Sequence, residues 1–563
     1  MTASIAPLLR AAGPALERAL AVGALAAHLS RDASLVPREE NDQVLITAGS
    51  AAIGAATGFG ADLVLARLGR RVPGGRVGAS ALLGGAGASG WVWASEVEER
   101  RPLVNAAETA CAVAMAAAGV GEAGRLALSA LPAPVRAAFA SRSAAFLAAA
   151  VPALRALRGR MAEPADRVKA SLSYEYLPTV SGGHGSLAPL STLDREGRKF
   201  LGLAVPEGEI AEVMGPPVRS PIRVYVGVET APSPVARVEL AVAELERLGA
   251  FERRRILVAC PSGAGFVTPV PVEVEEYMTR GDLASVAVQY NNQRSHRSLD
   301  RVPVGTETTR LLLRALRRRI DELPPDTRPE LVTYGESMGA WIAAEVVTED
   351  GLGTIDELGV AHAFLIGVPY QARQKLRQLV GDVSALPPSI GVFETSEDVV
   401  TLSEPQRARL AYALLTHPED PVANFSGLRL VVERPTWLTK GARRHPRVPR
   451  SMRWVPAITY LQVLFDVKNG TSFTADFEAY AHDYRAGLPA ALRIVFGHCV
   501  DVSPEQLARI EECTAASARA QAAREAAARQ RPPLPSAGYP ASRRRRPARL
   551  GLRRSSGGSG RGR

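Results

Sequence analysis

The chain has 563 residues, of which 46% are hydrophobic and 22% charged. That length accommodates about three or four domain-sized units, and the composition excludes wholesale disorder or a small disulfide scaffold. The formal charge of +11 belongs to one end: residues 531–563 hold ten arginines and no acid, so the rest is nearly neutral and carries no nucleic-acid groove signal.

The first 160 residues are rich in Ala, Gly, Leu and Val. Windows 43–61 and 77–95 contain no charge and are 19 residues long, close to the ~20 a helix needs to cross a hydrocarbon core. Shorter candidates at 19–30, 109–121 and 143–154 bring the expectation to a multi-span helical membrane domain of about five spans over residues 1–160. Arg10, Glu17 and Arg18 interrupt the first apolar run, which argues against a cleavable signal peptide. Gly54, Gly58 and Gly60 suit close helix approach, and Asp62 and Arg67 are placed to snorkel at an interface. The connection 67–76 holds Arg67, Arg70, Arg71 and Arg76 without an acid and reads as cytoplasmic, whereas 96–101 is acidic on balance. Five spans from a cytoplasmic start place everything after residue 160 outside; four would place it inside.

Residues 161–220 are punctuated by Gly and Pro and read as a linker or cap. From 221 to 502 short apolar runs alternate with amphipathic stretches: strands are expected at 222–228, 256–260, 283–290, 331–334, 361–368 and 410–416, with helices at 235–248, 306–323 and 339–347. This order indicates a mostly parallel sheet with helices on both faces and its chemistry at the carboxyl ends of the strands. Residues 503–563 read as an Ala/Arg/Glu-rich helix, either solvated or packed on a partner, followed by a basic disordered tail. With few aromatics, that tail suits anionic lipid head groups better than nucleic acid.

The strand expected at 331–334 runs into Gly335-Glu336-Ser337-Met338-Gly339 and then a helix, the G-x-S-x-G strand–turn–helix that presents a nucleophilic serine. A serine hydroxyl needs a base, and the base an orienting carboxylate, in the chain order Ser, acid, His. After the strand at 410–416 stands His417-Pro418-Glu419-Asp420-Pro421, making Asp420 the candidate acid and Glu419 the runner-up. Of the later histidines, His482 precedes an apolar helix and ranks first, His498 second, and His445 lies in a basic loop. The oxyanion donors are expected from Met338 and from the glycine-rich loop holding Gly263, Ala264, Gly265 and Phe266. Cys111, Cys260, Cys499 and Cys513 show no C-x-x-C spacing, and neither a metal constellation nor a dinucleotide or P-loop fingerprint is present, so no cofactor is expected.

Further elements carry a resemblance: Ser34-Leu-Val-Pro-Arg38, Gly197 and Phe200, Tyr225-Val-Gly-Val-Glu229, Arg434-Pro-Thr-Trp437, Met452-Arg-Trp454 and His482-x-Tyr484. With the serine and Asp420 motifs, they make the chain resemble the actinobacterial membrane-embedded α/β-hydrolases, which join an N-terminal multi-span domain to a serine-hydrolase domain. The resemblance covers most of residues 30–500. It implies Ser337, Asp420 and His482 as the triad and five spans with the catalytic domain outside the cytoplasm. The expected function is a membrane-anchored serine hydrolase, esterase- or lipase-like, acting on a lipid or other amphipathic ester. Acyl transfer through the same triad and a non-catalytic membrane scaffold are the alternatives.

Overall fold

The structure is a computed structural model that describes residues 6–68, isolated stretches between 70 and 132 (chiefly 79–84 and 117–127), 174–292, 298–380, 386–438, 444–471 and 476–530. Seven short apolar runs form one sheet: β1 (Ile222–Val226), β2 (Arg255–Cys260), β3 (Leu283–Val288), β4 (Glu330–Glu336), β5 (Val360–Ile366), β6 (Ile390–Phe393) and β7 (Tyr412–Leu415). Their order is β1-β3-β2-β4-β5-β7-β6, and every neighbouring pair is parallel. The inner strands read as continuous apolar runs because both faces of a parallel sheet are covered. The sequence pattern misses β6, a four-residue edge strand containing Gly391 whose side chains are at most half-buried, so it offers no apolar run to detect.

The helices used below are α1 (Ala6–Leu29), α2 (Glu40–Leu68), α3 (Arg195–Gly202), α4 (Pro234–Arg247), α5 (Pro269–Met278), α6 (Val302–Asp321), α7 (Met338–Val347), α8 (Ile458–Gly470), α9 (Leu488–Val495) and α10 (Pro504–Gln530). Side chains alternate across the strands and feed two cores. On one face Val224, Val258 and Val286 pack against Leu245 of α4, Leu316 of α6 and Ala343 of α7. On the other, Tyr225, Leu257 and Phe364 meet Phe200 of α3, Val274 of α5, Leu492 of α9 and Ile510 of α10. Start signals are legible locally: α4 opens on Ser233, whose hydroxyl accepts from the Ala236 N–H at 3.1 Å, with Pro234 in the first turn.

The described part of the linker or cap, from residue 174, packs on the hydrolase body, with Phe200, Leu201 and Ile210 buried in its core. The helix at 504–530 is docked rather than free in solvent: Ile510 and Thr514 are buried, and Gln521 donates to the Tyr174 hydroxyl at 3.1 Å.

Among the described residues one helix, Glu40–Asp62 within α2, is long and apolar enough to cross a membrane. The candidate at 19–30 falls largely in α1; those at 77–95 and 109–121 are only partly described, and 143–154 lies outside the described residues, as do Cys111 and the tail 531–563. Gly54 and Gly58 lie against α1, where a β-carbon on Gly54 would come within 2.7 Å of the Val22 carbonyl oxygen, but Gly60 faces open space. Asp62 does not snorkel. It pairs with buried Arg18, which also meets Glu122 at 2.5 Å, and Arg125 reaches Glu122 at 2.6 Å, so two cations balance two carboxylates between helices.

The turn joining α1 to α2 docks on the hydrolase body. Leu35 is buried with Leu430, Met452, Trp454 and Val463. Its N–H donates to Asp466 of α8 at 3.1 Å, Ser34 donates to the same carboxylate, and Tyr480 donates to the Leu35 carbonyl at 2.6 Å. Lys468 and Arg453 add ion pairs to Asp42 at 2.9 Å and Asp32 at 3.0 Å.

Candidate active site

β4 ends at Glu336 and α7 begins at Met338, leaving Ser337 alone in the turn at φ 57°, ψ −120°. A non-glycine residue is costly there and persists only when its surroundings over-determine it. The flanking glycines do so. A β-carbon on Gly335 would lie 2.7 Å from the Gly339 carbonyl, and one on Gly339 would run into the Cys260 carbonyl oxygen at the end of β2. The Ser337 N–H donates to the Ile366 carbonyl of β5 at 3.0 Å, which fixes the half-buried serine at the carboxyl end of the sheet.

Asp420 follows β7 and caps the short helix Pro421–Asn424, with Oδ1 accepting the Val422 N–H at 2.8 Å and the Ala423 N–H at 3.4 Å. Its Oδ2 accepts from His482 Nδ1 at 2.7 Å and from the Tyr484 hydroxyl at 2.5 Å. Burial alone would raise this carboxyl, but the facing His482 and these hydrogen bonds hold it below the ordinary aspartate value. His482 shows the converse: burial opposes its charged form, yet Asp420, with Glu336 and Asp483, carries its pKa above the ordinary imidazole value. Among the described residues neither the Ser337 hydroxyl nor His482 Nε2 has a hydrogen-bond partner.

His482 packs on Gly367, the residue after Ile366, whose carbonyl holds the Ser337 N–H. Gly367 takes φ 58°, and a β-carbon there would sit 2.6 Å from His482 Cε1 and 3.0 Å from the Tyr484 ring. The sequence reading did not single out Gly367; its only local signal is a glycine at the end of an apolar strand. Tyr484 stacks on His417 with ring centroids 4.1 Å apart, and the His417 Nδ1 lies 2.9 Å from the Ala481 carbonyl. Burial lowers His417 to about 4, so it braces the loop as a neutral ring.

The other candidates are placed elsewhere. Glu419 pairs with Arg447 at 2.6 Å and accepts the Ala481 N–H at 3.3 Å, holding the histidine loop rather than the imidazole. His498 sits at the amino end of the sheet against Glu275 at 3.0 Å and Arg255 at 2.8 Å, the opposite end from Ser337. His445 reaches Glu394 at 3.1 Å on the surface.

The loop after β2 lies against the start of α7, as the Gly339 contact with Cys260 shows. Gly265 must be removed from the donor set, because its N–H already donates to the Ser262 carbonyl at 2.8 Å in a tight turn with φ 86°. Among the described residues, Gly263, Ala264, Phe266 and Met338 keep backbone N–H groups without a partner outside helix α7. Two groups absent from the sequence reading's candidate set pin this loop. Tyr225 donates to the Gly265 carbonyl at 2.8 Å, and Gln289 donates to the Ala264 carbonyl at 3.0 Å. A further tie is Glu336, which accepts from Thr268 and from the Tyr334 hydroxyl, joining the loop to the elbow.

The arrangement presents a strained serine, an imidazole oriented by a buried carboxylate, and unspent N–H groups beside them. The profile of the Alpha/beta-hydrolase family matches residues 222–510, which span β1 to the first turns of α10 and include all three of these side chains. No curated protein and no solved structure matches the chain.

Proposed function

The chain belongs to the α/β-hydrolase family, and from that premise we propose that it is a membrane-anchored serine hydrolase acting on an ester of amphipathic character. The observation that carries the reading is the 2.7 Å contact between Asp420 and His482, whose ring packs on Gly367, next to the Ile366 carbonyl that holds the strained Ser337. Asp420 keeps a proton on Nδ1 and leaves Nε2 as the base. Nε2 takes the Ser337 proton as Oγ attacks the ester carbonyl, and the oxyanion is held by Met338 with N–H groups among Gly263, Ala264 and Phe266. His482 then returns the proton to the departing alcohol, leaving an acyl group on Ser337. Water, deprotonated by the same imidazole, releases the acid and restores the serine.

The membrane part of the proposal rests on α2, on the apolar windows of residues 1–160 and on the docked α1–α2 turn. That turn and the catalytic body must share one side of the bilayer, opposite the arginine-rich connection 67–76. The positive-inside rule puts the arginines in the cytoplasm, which supports an odd number of spans and a catalytic domain outside it. The arginines of 531–563 are proposed to meet anionic lipid head groups. Hydrolysis of 4-nitrophenyl esters by the detergent-solubilised full chain tests the activity: wild-type turnover should fall to background in Ser337→Ala, and equal turnover by the variant would remove the proposal.

A further inference from the structure

A cavity of about 490 Å³ adjoins the elbow, with Phe266, Thr268 and Glu336 on its inner side. Its outer wall comes from α3 and α10, whose lining residues fall outside the segment matched to the family. Arg195 and Lys199 stand about one turn apart on α3 and converge on a single oxygen: Glu525 Oε1 lies 2.8 Å from Arg195 Nη2 and 3.1 Å from Lys199 Nζ. Lys199 also lies over the Phe266 ring, 5.3 Å from its centroid, which ties the two cations to the loop of candidate oxyanion donors.

Glu525 reaches this position from near the end of α10, which the structure follows to Gln530. Gln521 of the same helix also donates to Glu525 Oε1 at 2.9 Å, and because α10 lies outside the sheet the carboxylate can rotate away about its side-chain bonds without disturbing the strands. We propose that Arg195 and Lys199 form a binding subsite for an anionic group on the ester substrate, a carboxylate or a phosphate, and that Glu525 fills it until the substrate arrives. The inference rests on the hydrolase reading of Ser337 and names the chemistry of what that serine attacks. Charge around the cavity is compatible with it. Burial pushes Glu273 up to about 7, which weakens its repulsion of an entering anion, and Glu196 lies 3.8 Å from Arg195 Nε. Arg485, the other cation on the wall, is engaged by Asp483 at 2.7 Å.

The test compares matched esters on the full-length protein: the 4-nitrophenyl half-ester of glutaric acid against its neutral methyl ester, and phosphatidylglycerol against phosphatidylcholine in mixed micelles. Wild type should show the lower KM for the anionic member of at least one pair, and that pair identifies the anion as a free carboxylate or a lipid phosphate. Lys199→Ala and Arg195→Gln should each raise that KM roughly tenfold while the neutral KM moves less than about twofold. Glu525→Gln should lower the anionic KM. Equal shifts for anionic and neutral esters in all three variants would show that the α3–α10 contact is only structural and overturn the subsite, as would a wild type indifferent to charge. Turnover of no ester by well-folded wild type would instead overturn the hydrolase reading, and the subsite with it.

Discussion

Asp420 is the residue on which the site turns, because its two oxygens serve different ends. Oδ1 is spent on the N–H groups of its own helix, while Oδ2 faces His482 and Tyr484, so its orientation is fixed before any substrate binds. The electrostatic consequence has a definite sign. His482 is held above the ordinary imidazole pKa of about 6.5, so its neutral, proton-accepting form is lost as pH falls through that raised value. The acid limb of kcat/KM should therefore have its midpoint above pH ~6.5. Asp420→Asn should cost on the order of 10³–10⁴-fold in kcat and move any residual limb to lower pH. A limb at or below the ordinary imidazole value in wild type would contradict the pairing.

At the scale of elements, the turn between α1 and α2 ties these two helices to the hydrolase body. Ser34 and the Leu35 N–H share one buried carboxylate, Asp466, and Leu35 fills an apolar pocket, so turn and body move as one unit. That coupling makes sidedness testable with single cysteines. Leu428, 74% exposed on the catalytic body, and Arg71, exposed after α2, should lie on opposite sides of the membrane. A membrane-impermeant maleimide added to intact cells should label Leu428→Cys above the parent chain and spare Arg71→Cys until the cells are broken. Labelling of Arg71→Cys but not Leu428→Cys would reverse the orientation.

Over the whole molecule, what the sequence made legible follows the physics of each feature. Strands β1 to β5 and β7 were visible because parallel strands are buried on both faces, and the serine turn because steric crowding demands glycine at 335 and 339. Asp420 and His482 are legible from chain order, from the strand and helix beside them and from the family resemblance, and the structure brings them to 2.7 Å. Less was readable where partners are distant in sequence. Gly367 matters only because His482 crosses it, 115 positions later; Arg195 and Lys199 look like ordinary surface charges until α10 returns across them. The surface on which α10 docks is not legible either, since its Ala-rich sequence has no broad apolar stripe. Whether Ser337 is an activated nucleophile is read by covalent labelling of the full-length chain with a fluorophosphonate probe. One labelled peptide, containing Ser337, is expected, with loss of labelling in both Ser337→Ala and His482→Ala. A folded wild type that takes up no probe, or takes it up on another residue, would contradict that role.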